Sequence, residues 1–148
     1  MTTLRERIQG DLKSALKAGD KDAVRTLRMV EAALKNKQIE LRRDLSDAEV
    51  VQAVQGGIKQ RRDSIAQYEK GGRADLVAQE EAEVAVLTRY LPAQLSEAEL
   101  TALVEAAIAE VGATGPKDLG AVMKQVMAKA AGRAEGGRIN ALVRAKLA

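Results

Sequence analysis

The sequence predicts an all-α protein, and three observations support that prediction. Apolar residues recur at helical spacing along the whole chain, and no alternating run is long enough to form a strand. Aromatic residues make up 1% of the sequence, whereas sheets usually contain aromatic and β-branched side chains. Glycine, proline and capping residues divide the chain into segments of helix length. We therefore expect an N-terminal bundle of about four helices followed by a small three-helix C-terminal subdomain.

The first two helices are marked by residues typical of their ends. Thr3, with Glu6 three residues later, predicts a capping box at the start of helix one, and Gly19 ends that helix. Asp20 predicts the N-cap of a long second helix. The apolar row of that helix indicates that the stretch continues to Leu45.

The third helix contains a pair of interior glycines. Ser46 and Glu49 predict a capping box at its start. Each glycine of the Gly56–Gly57 pair costs about 1 kcal/mol relative to alanine, so the pair predicts a kink or a close helix crossing. A fourth helix is expected over residues 73–90.

The segment around Pro92 is the predicted domain boundary. Proline cannot continue the fourth helix, and the apolar residues of segment 90–95 would not be left in a free linker. We therefore expect an ordered hinge that divides the chain into domains 1–91 and 92–148. Ser96 and Glu99 predict the capping box of the first C-terminal helix, and Pro116 falls near the first turn of the next.

The absence of both His and Cys is the most informative feature for function. The usual general base near neutral pH and the thiolate nucleophile are missing together. Ser-Lys chemistry remains, but Ser46 and Ser96 are explained by capping, and neither a Walker loop nor a dinucleotide fingerprint occurs. We expect no catalytic residue, no cofactor and no metal site.

The fourth helix contains an acidic run that could in principle bind a metal ion. Glu80, Glu81 and Glu83 point in different directions around a helix instead of converging on one ion. We interpret them as mostly solvent-facing side chains.

A basic row on the second helix is the main candidate binding site. Its residues recur at helical spacing on one face, and cations of the third helix extend it if the two helices pack antiparallel. The candidates are Lys21, Arg25, Arg28, Lys35, Arg42, Lys59, Arg61 and Arg62. They would contact phosphates, although the same pattern fits a solvated flank paired with nearby acids, and the sequence leaves both open. The scarcity of aromatics favours contacts to the backbone and shape of a folded RNA over base stacking.

Several motifs together resemble the GatB/YqeY family across essentially the whole chain. They are Lys59-Gln60-Arg61-Arg62-Asp63-Ser64, the hinge from Tyr90-Leu91-Pro92 to Glu99-Leu100, Gly112-Ala113, Lys117-Asp118-Leu119-Gly120, Val122-Met123 and Gly132-Arg133-Ala134-Glu135-Gly136. The resemblance implies an N-terminal helical bundle with a small C-terminal helical subdomain. It also implies kinship with the tail of glutamine-dependent tRNA amidotransferases, which holds the elbow of misacylated tRNA.

The resemblance carries over no catalytic residue. The ATP-using cradle domain of the amidotransferase subunit is missing here, so a label of carbon-nitrogen ligase with glutamine as amide donor would be inherited. Because the C-terminal subdomain contributes in the family, the resemblance adds secondary RNA candidates. These are Lys117, Lys124, Arg133 and Arg138.

Two functions follow as expectations. The first is a non-catalytic module that binds tRNA or another structured RNA. The alternative is a protein-interaction adaptor that docks on a tRNA amidotransferase or an aminoacyl-tRNA synthetase. Neither a signal peptide nor a membrane segment is apparent, so we expect a cytoplasmic protein with no membrane partner.

Overall fold

The computed structural model describes residues 2–148, and these residues form helices and no strand. The helices are α1 (Leu4–Ala18), α2 (Lys21–Leu41), α3 (Asp47–Lys70), α4 (Ala74–Thr88), α5 (Glu97–Val111), a 3₁₀ turn (Pro116–Asp118), α6 (Leu119–Ala130) and α7 (Gly136–Leu147). The chain divides into two compact units: the N-terminal unit, which ends at Leu91 and contains α1–α4, and the C-terminal unit, Pro92–Ala148, which contains α5–α7. The all-α prediction is confirmed.

Local capping chemistry sets most helix starts. The Ser46 and Ser96 hydroxyls each accept a hydrogen bond from the N–H of the glutamate three residues later. In return, the carboxylates of Glu49 and Glu99 accept a hydrogen bond from the serine N–H. The Asp20 carboxylate accepts from the N–H at position 23 and caps α2. These reciprocal bonds satisfy donors that a helix start otherwise leaves unpaired.

The end of α2 differs from the prediction. The helix stops at Leu41, because Arg42 adopts the left-handed conformation with φ 55°. Leu45 lies beyond the helix and is buried in the core of the N-terminal unit. The apolar residue at position 45 therefore marks a buried connection, which periodicity alone could not distinguish from one more helical turn.

The glycine pair marks a close helix crossing. α3 is continuous through Gly56 and Gly57. A Cβ atom added at Gly57 would lie 3.3 Å from the Leu87 Cδ1 atom of α4, while one added at Gly56 would meet nothing within 4 Å. Only the second glycine is needed for the approach of α4 to α3.

Each unit has its own aliphatic core. The N-terminal core is built on residues from α1 to α4 and includes Tyr90, which is 2% exposed. The Tyr90 hydroxyl donates to the Asp11 carboxylate at 2.6 Å, and burial raises the pKa of that hydroxyl. The C-terminal core is centred on Leu100, Val122 and Ile139, which are fully buried. Within residues 2–148, none of the helices combines the length and apolar content that a bilayer crossing requires.

Candidate nucleic-acid interface

Three cations of α2 remain available for binding. Lys21, Arg28 and Lys35 are exposed, and none of them forms an ion pair with any residue that the structure describes. Their spacing places them along one side of the helix over about 20 Å. Their charge is therefore presented to solvent and is not neutralised by a neighbouring acid.

Arg25 lies on the same side of α2 but is held by acids. Its Nη2 donates to the Asp22 carboxylate at 2.7 Å, and its Nε donates to Glu83 of α4 at 3.3 Å. The hydrogen bond that Arg25 donates to Asp22 is the main reason that the pKa of Arg25 is raised. Arg25 adds less net charge to this face than Lys21 or Arg28.

Arg42 does not continue the row in the way its spacing predicts. Because it is the left-handed C-cap of α2, its side chain no longer follows the helical repeat. It remains exposed in the turn that follows the helix.

Arg61 is a core residue, which corrects its assignment as a surface phosphate contact. Its side chain is 7% exposed, and its Nη2 lies 3.1 Å from Oε1 of Glu83, whose side chain is 5% exposed. Arg61 also donates from Nη1 to the Gly57 carbonyl at 3.1 Å and contacts the Met29 sulfur at 3.7 Å. A guanidinium held in this way is not presented to a polyanion.

The expected outward direction of the acidic run is correct for only part of it. Glu81 is exposed and Glu80 is half-buried, but Glu83 is buried between Arg25 and Arg61. Among residues 2–148, no three potential ligands converge closely enough to hold a metal ion. Glu83 is thus the carboxylate that links α2, α3 and α4.

The sequence contained a signal for this buried pair. Ile58 and Ile65 are buried in α3, and Arg61 falls between them at helical spacing of three and four. Glu83 likewise precedes the buried Leu87 by four residues in α4. Two opposite charges at inward positions of different helices indicate a buried ion pair. Apolar periodicity alone predicts only hydrophobic residues at such positions.

The remaining candidate cations of α3 are Lys59 and Arg62, and both are exposed. Lys59 forms no ion pair with the described part of the chain. Of the eight candidates in the N-terminal unit, Lys21, Arg25 and Arg28 line one groove, and Arg25 and Arg61 meet at Glu83.

That groove lies between the end of α1 and the first half of α2. It has a volume of about 540 Å³ and is open to solvent. Leu16, 49% exposed, and Met29, 55% exposed, supply apolar surface. The lining residues are Leu16, Gly19, Lys21, Val24, Arg25, Arg28 and Met29. We call this site the α1–α2 groove.

The two arginines among the C-terminal candidates stabilise the segment before α5. Arg133 donates from Nε to the Ala93 carbonyl at 3.0 Å. Arg138 donates to the Leu95 carbonyl at 3.2 Å and to Glu97 at 2.6 Å. Both are therefore explained by the fold of the C-terminal unit.

The two C-terminal lysines have no such role. Lys117 and Lys124 are exposed and lie in no ion pair within residues 2–148. They are the members of the secondary set with charge available to a ligand.

Curated relatives of the chain are mitochondrial proteins. The protein named Altered inheritance of mitochondria protein 41, mitochondrial, of Pyrenophora tritici-repentis is 33% identical over 131 residues, which cover 86% of this chain and 71% of the relative. The protein of that name from Lachancea thermotolerans is 35% identical, with 74% and 60% covered. The one from Kluyveromyces lactis is 37% identical, with 56% and 45% covered. The chain thus spans less than two thirds of the second and third relatives.

These relatives overturn the cytoplasmic expectation. Each carries the word mitochondrial in its name, which conflicts with a cytoplasmic location. That expectation came from the absence of a signal peptide and of a spanning helix, and neither observation bears on import into an organelle. The relatives' names mention neither RNA nor amide transfer.

The family assignment rests on nearly the full length of the chain. The sequence profile of the family described as Yqey-like protein matches residues 5–147, which include all seven helices except the first residue of α1. The resemblance stated from the hinge and C-terminal motifs is therefore confirmed. The chain belongs to the YqeY-like protein family.

Proposed function

We propose that this protein is a non-catalytic module that binds tRNA or another structured RNA through the backbone phosphates. The observation that carries the proposal is a row of exposed cations along α2 that form no ion pair within residues 2–148: Lys21, Arg28 and Lys35. Phosphate contacts of this kind need fixed positive charge and no catalytic group. The likeness to the tail of tRNA amidotransferases supports tRNA as the ligand.

The structure sharpens the set of proposed contacts. Lys59, Arg62 and Arg42 are kept as proposed contacts beside the α2 row because their side chains are exposed. Lys117 and Lys124 are kept for the same reason in the C-terminal unit. Arg25 contributes less because Asp22 and Glu83 share its charge. The proposal does not include Arg61, and Arg133 and Arg138 are treated as structural.

A tRNA titration at two salt concentrations tests the proposal. The change is a triple variant, Lys21→Ala, Arg28→Ala and Lys35→Ala. If all three residues contact phosphates, the slope of log affinity against log salt should fall by about 2 to 3, and affinity at low salt should fall at least about tenfold.

A matched triple variant controls for total charge. Lys13→Ala, Lys37→Ala and Lys70→Ala also removes three exposed cations from the N-terminal unit, but from other positions. It should retain most of the affinity. Absent or salt-insensitive tRNA binding, or an equal loss in the control, would contradict the proposal.

Amide transfer is assigned to other proteins under this proposal. The chain contains neither His nor Cys, and we infer that the carbon-nitrogen ligase label is inherited from the amidotransferase subunit. The purified chain should show neither glutaminase activity nor amidation of Glu-tRNA. Turnover of either substrate by the isolated protein would overturn the non-catalytic assignment.

A second candidate function is a protein adaptor that docks on a tRNA amidotransferase or an aminoacyl-tRNA synthetase. It is favoured by large apolar side chains on the same part of the N-terminal unit as the cations: Leu16, Met29 and Ile39 are 49%, 55% and 65% exposed. Phosphates gain nothing from such side chains. A pull-down with the purified enzymes, repeated after nuclease treatment, separates the candidates, because direct protein contact persists and RNA-mediated association does not.

A further inference from the structure

The α1–α2 groove combines apolar surface and positively charged surface. Its floor is apolar: Val24 is partly buried against the N-terminal core, and Leu16 and Met29 beside it are half-exposed and available to a ligand. Burying such side chains in a partner is favourable by about 25 cal/mol for each Å² of apolar area. The groove therefore offers binding energy that is independent of charge.

The rim of the groove is positively charged. Lys21 and Arg28 line it without ion-pair partners among residues 2–148, and Arg25 lies between them in the helix. An apolar floor with cations along one edge is complementary to a ligand that carries apolar side chains in the middle and carboxylates at the flank. A cationic or wholly apolar ligand would leave that edge unmatched.

The groove is held in place from inside the unit. Glu83 accepts from Arg25 at 3.3 Å, and it is fixed in turn by buried Arg61. Arg61 also contacts the sulfur of Met29 at 3.7 Å, so one buried cation supports both a rim residue and a floor residue. Less side-chain freedom then remains to be lost when a ligand binds.

The shape of the site favours a helix over a small molecule. The groove is open, and its wall follows the first turns of α2, where residues recur every three or four positions. An amphipathic helix presents apolar side chains at the same spacing and lays them into such grooves. RNA phosphates would use the cations of the rim but would leave the apolar floor unburied.

We propose that the α1–α2 groove binds an acidic amphipathic helix of a partner protein. The proposal rests on the second candidate function, the adaptor, and gives that function a site and a partner chemistry. Apolar side chains of the partner contact Leu16, Val24 and Met29, and its carboxylates pair with Lys21 and Arg28. The tRNA-binding proposal does not depend on it.

The probe is a labelled synthetic helix of about five turns, with leucines at helical spacing and glutamates on the flanks. Its fluorescence anisotropy is titrated with the full chain. A permuted peptide of identical composition, without the apolar stripe, is the control ligand. We expect saturable binding of the amphipathic peptide, at least about tenfold tighter than that of the permuted one.

Variants then locate the site. Leu16→Ser with Met29→Ser replaces two exposed side chains and should weaken the peptide by at least about tenfold while leaving the fold intact. Ile39→Ser removes a more exposed aliphatic side chain of α2 that does not line the groove, and should change nothing. Lys21→Ala with Arg28→Ala should weaken the peptide several-fold, with the larger loss at low salt.

Three results would overturn the proposal: no saturable peptide binding, equal binding of the permuted peptide, or equal losses from Ile39→Ser and the groove variant. If nuclease-resistant docking nevertheless persisted, the adaptor function would stand on another face. The Leu16→Ser, Met29→Ser variant should also keep its tRNA affinity. Lys21 and Arg28 are shared with the proposed RNA contacts, so a parallel loss of tRNA binding in this variant would mean that the apolar floor also serves RNA, and would refute the assignment of that floor to a protein helix.

Discussion

The two units use their arginines in opposite ways. In the N-terminal unit, Arg61 is buried against Glu83, and Arg28 is exposed and forms no ion pair with the described residues. In the C-terminal unit, Arg133 and Arg138 bind backbone carbonyls of the segment before α5. A count of basic residues therefore does not locate a binding site. The partner of each cation decides whether its charge is available.

The cores differ in the same respect. Among the described residues, the buried polar side chains are Thr26, Arg61 and Glu83, all in the N-terminal unit. The buried side chains of the C-terminal core are aliphatic. The first core thus depends on a satisfied ion pair, and the second depends on packing alone.

The largest expected effect comes from breaking the buried pair. Glu83→Ala leaves Arg61 buried without its counter-charge, so the N-terminal unit should lose about 3–5 kcal/mol of unfolding free energy. Urea unfolding measures the loss, and hydrogen exchange should assign it to α1–α4. Glu81→Ala, at an exposed position of the same helix, should stay within about 0.5 kcal/mol. A loss below about 1 kcal/mol for Glu83→Ala would contradict the structural role of the pair.

A smaller effect is expected from the C-terminal arginines. Arg138→Ala removes the bonds to the Leu95 carbonyl and to Glu97, and should cost about 1–2 kcal/mol, with faster exchange at the start of α5. Arg144→Ala is the matched control, because Arg144 is exposed and its Nε donates to Asn140 within its own helix. If both variants were equally stable, Arg138 would be a surface cation after all and would return to the RNA candidates.

The two interior glycines of α3 should respond differently to the same substitution. Gly56→Ala places a methyl group in open space and should stabilise the N-terminal unit by about 1 kcal/mol through helix propensity. Gly57→Ala places it 3.3 Å from Leu87 and 3.4 Å from Arg61, so steric strain should cancel most or all of that gain. The melting temperatures of the two variants measure this difference in stabilisation. Equal stabilisation would show that α4 can move away at no cost.

The smallest expected effect is a difference between the two capping boxes in how their contribution to stability depends on pH. Hydrogen bonds from Arg43, followed by the Ser46 N–H, lower the pKa of Glu49 from 4.5 to about 2. The pKa of Glu99 is also lowered, by bonds from Ser96, but no arginine donates to it. Because the folded-state pKa of Glu49 lies below its unfolded value, its contribution is present above about pH 4.5 and is lost as pH falls towards about 2.

Melts across that acidic window test this difference. Glu49→Gln should flatten the fall of the melting temperature with decreasing pH, and Glu99→Gln should flatten it less. The same slope for wild type and Glu49→Gln would mean that the Arg43 contact does not persist in solution.

Local signals made the fold predictable. Ser46, Ser96 and Asp20 act on N–H groups within three residues, so their capping role is readable from the sequence alone. The end of α2 was missed because the left-handed conformation at Arg42 is not favoured by an arginine.

The candidate site was predictable only in part. Exposure of Lys21, Arg28 and Lys35 follows from helical spacing, which fixes the face of a single helix. The burial of Arg61 and Glu83 depends on two residues 22 positions apart meeting across helices. The α1–α2 groove likewise arises from the packing of two helices, which the repeat within either helix does not determine.

The turn after α2 has a consequence for how sequence variation there should be interpreted. A side chain at φ 55° costs about 1–2 kcal/mol that glycine would not incur. Glycine at position 42 would remove this cost, whereas arginine places an exposed guanidinium in the turn. Arg42→Gly should therefore raise the melting temperature, and a loss of tRNA affinity in the same variant would show that this guanidinium contacts RNA.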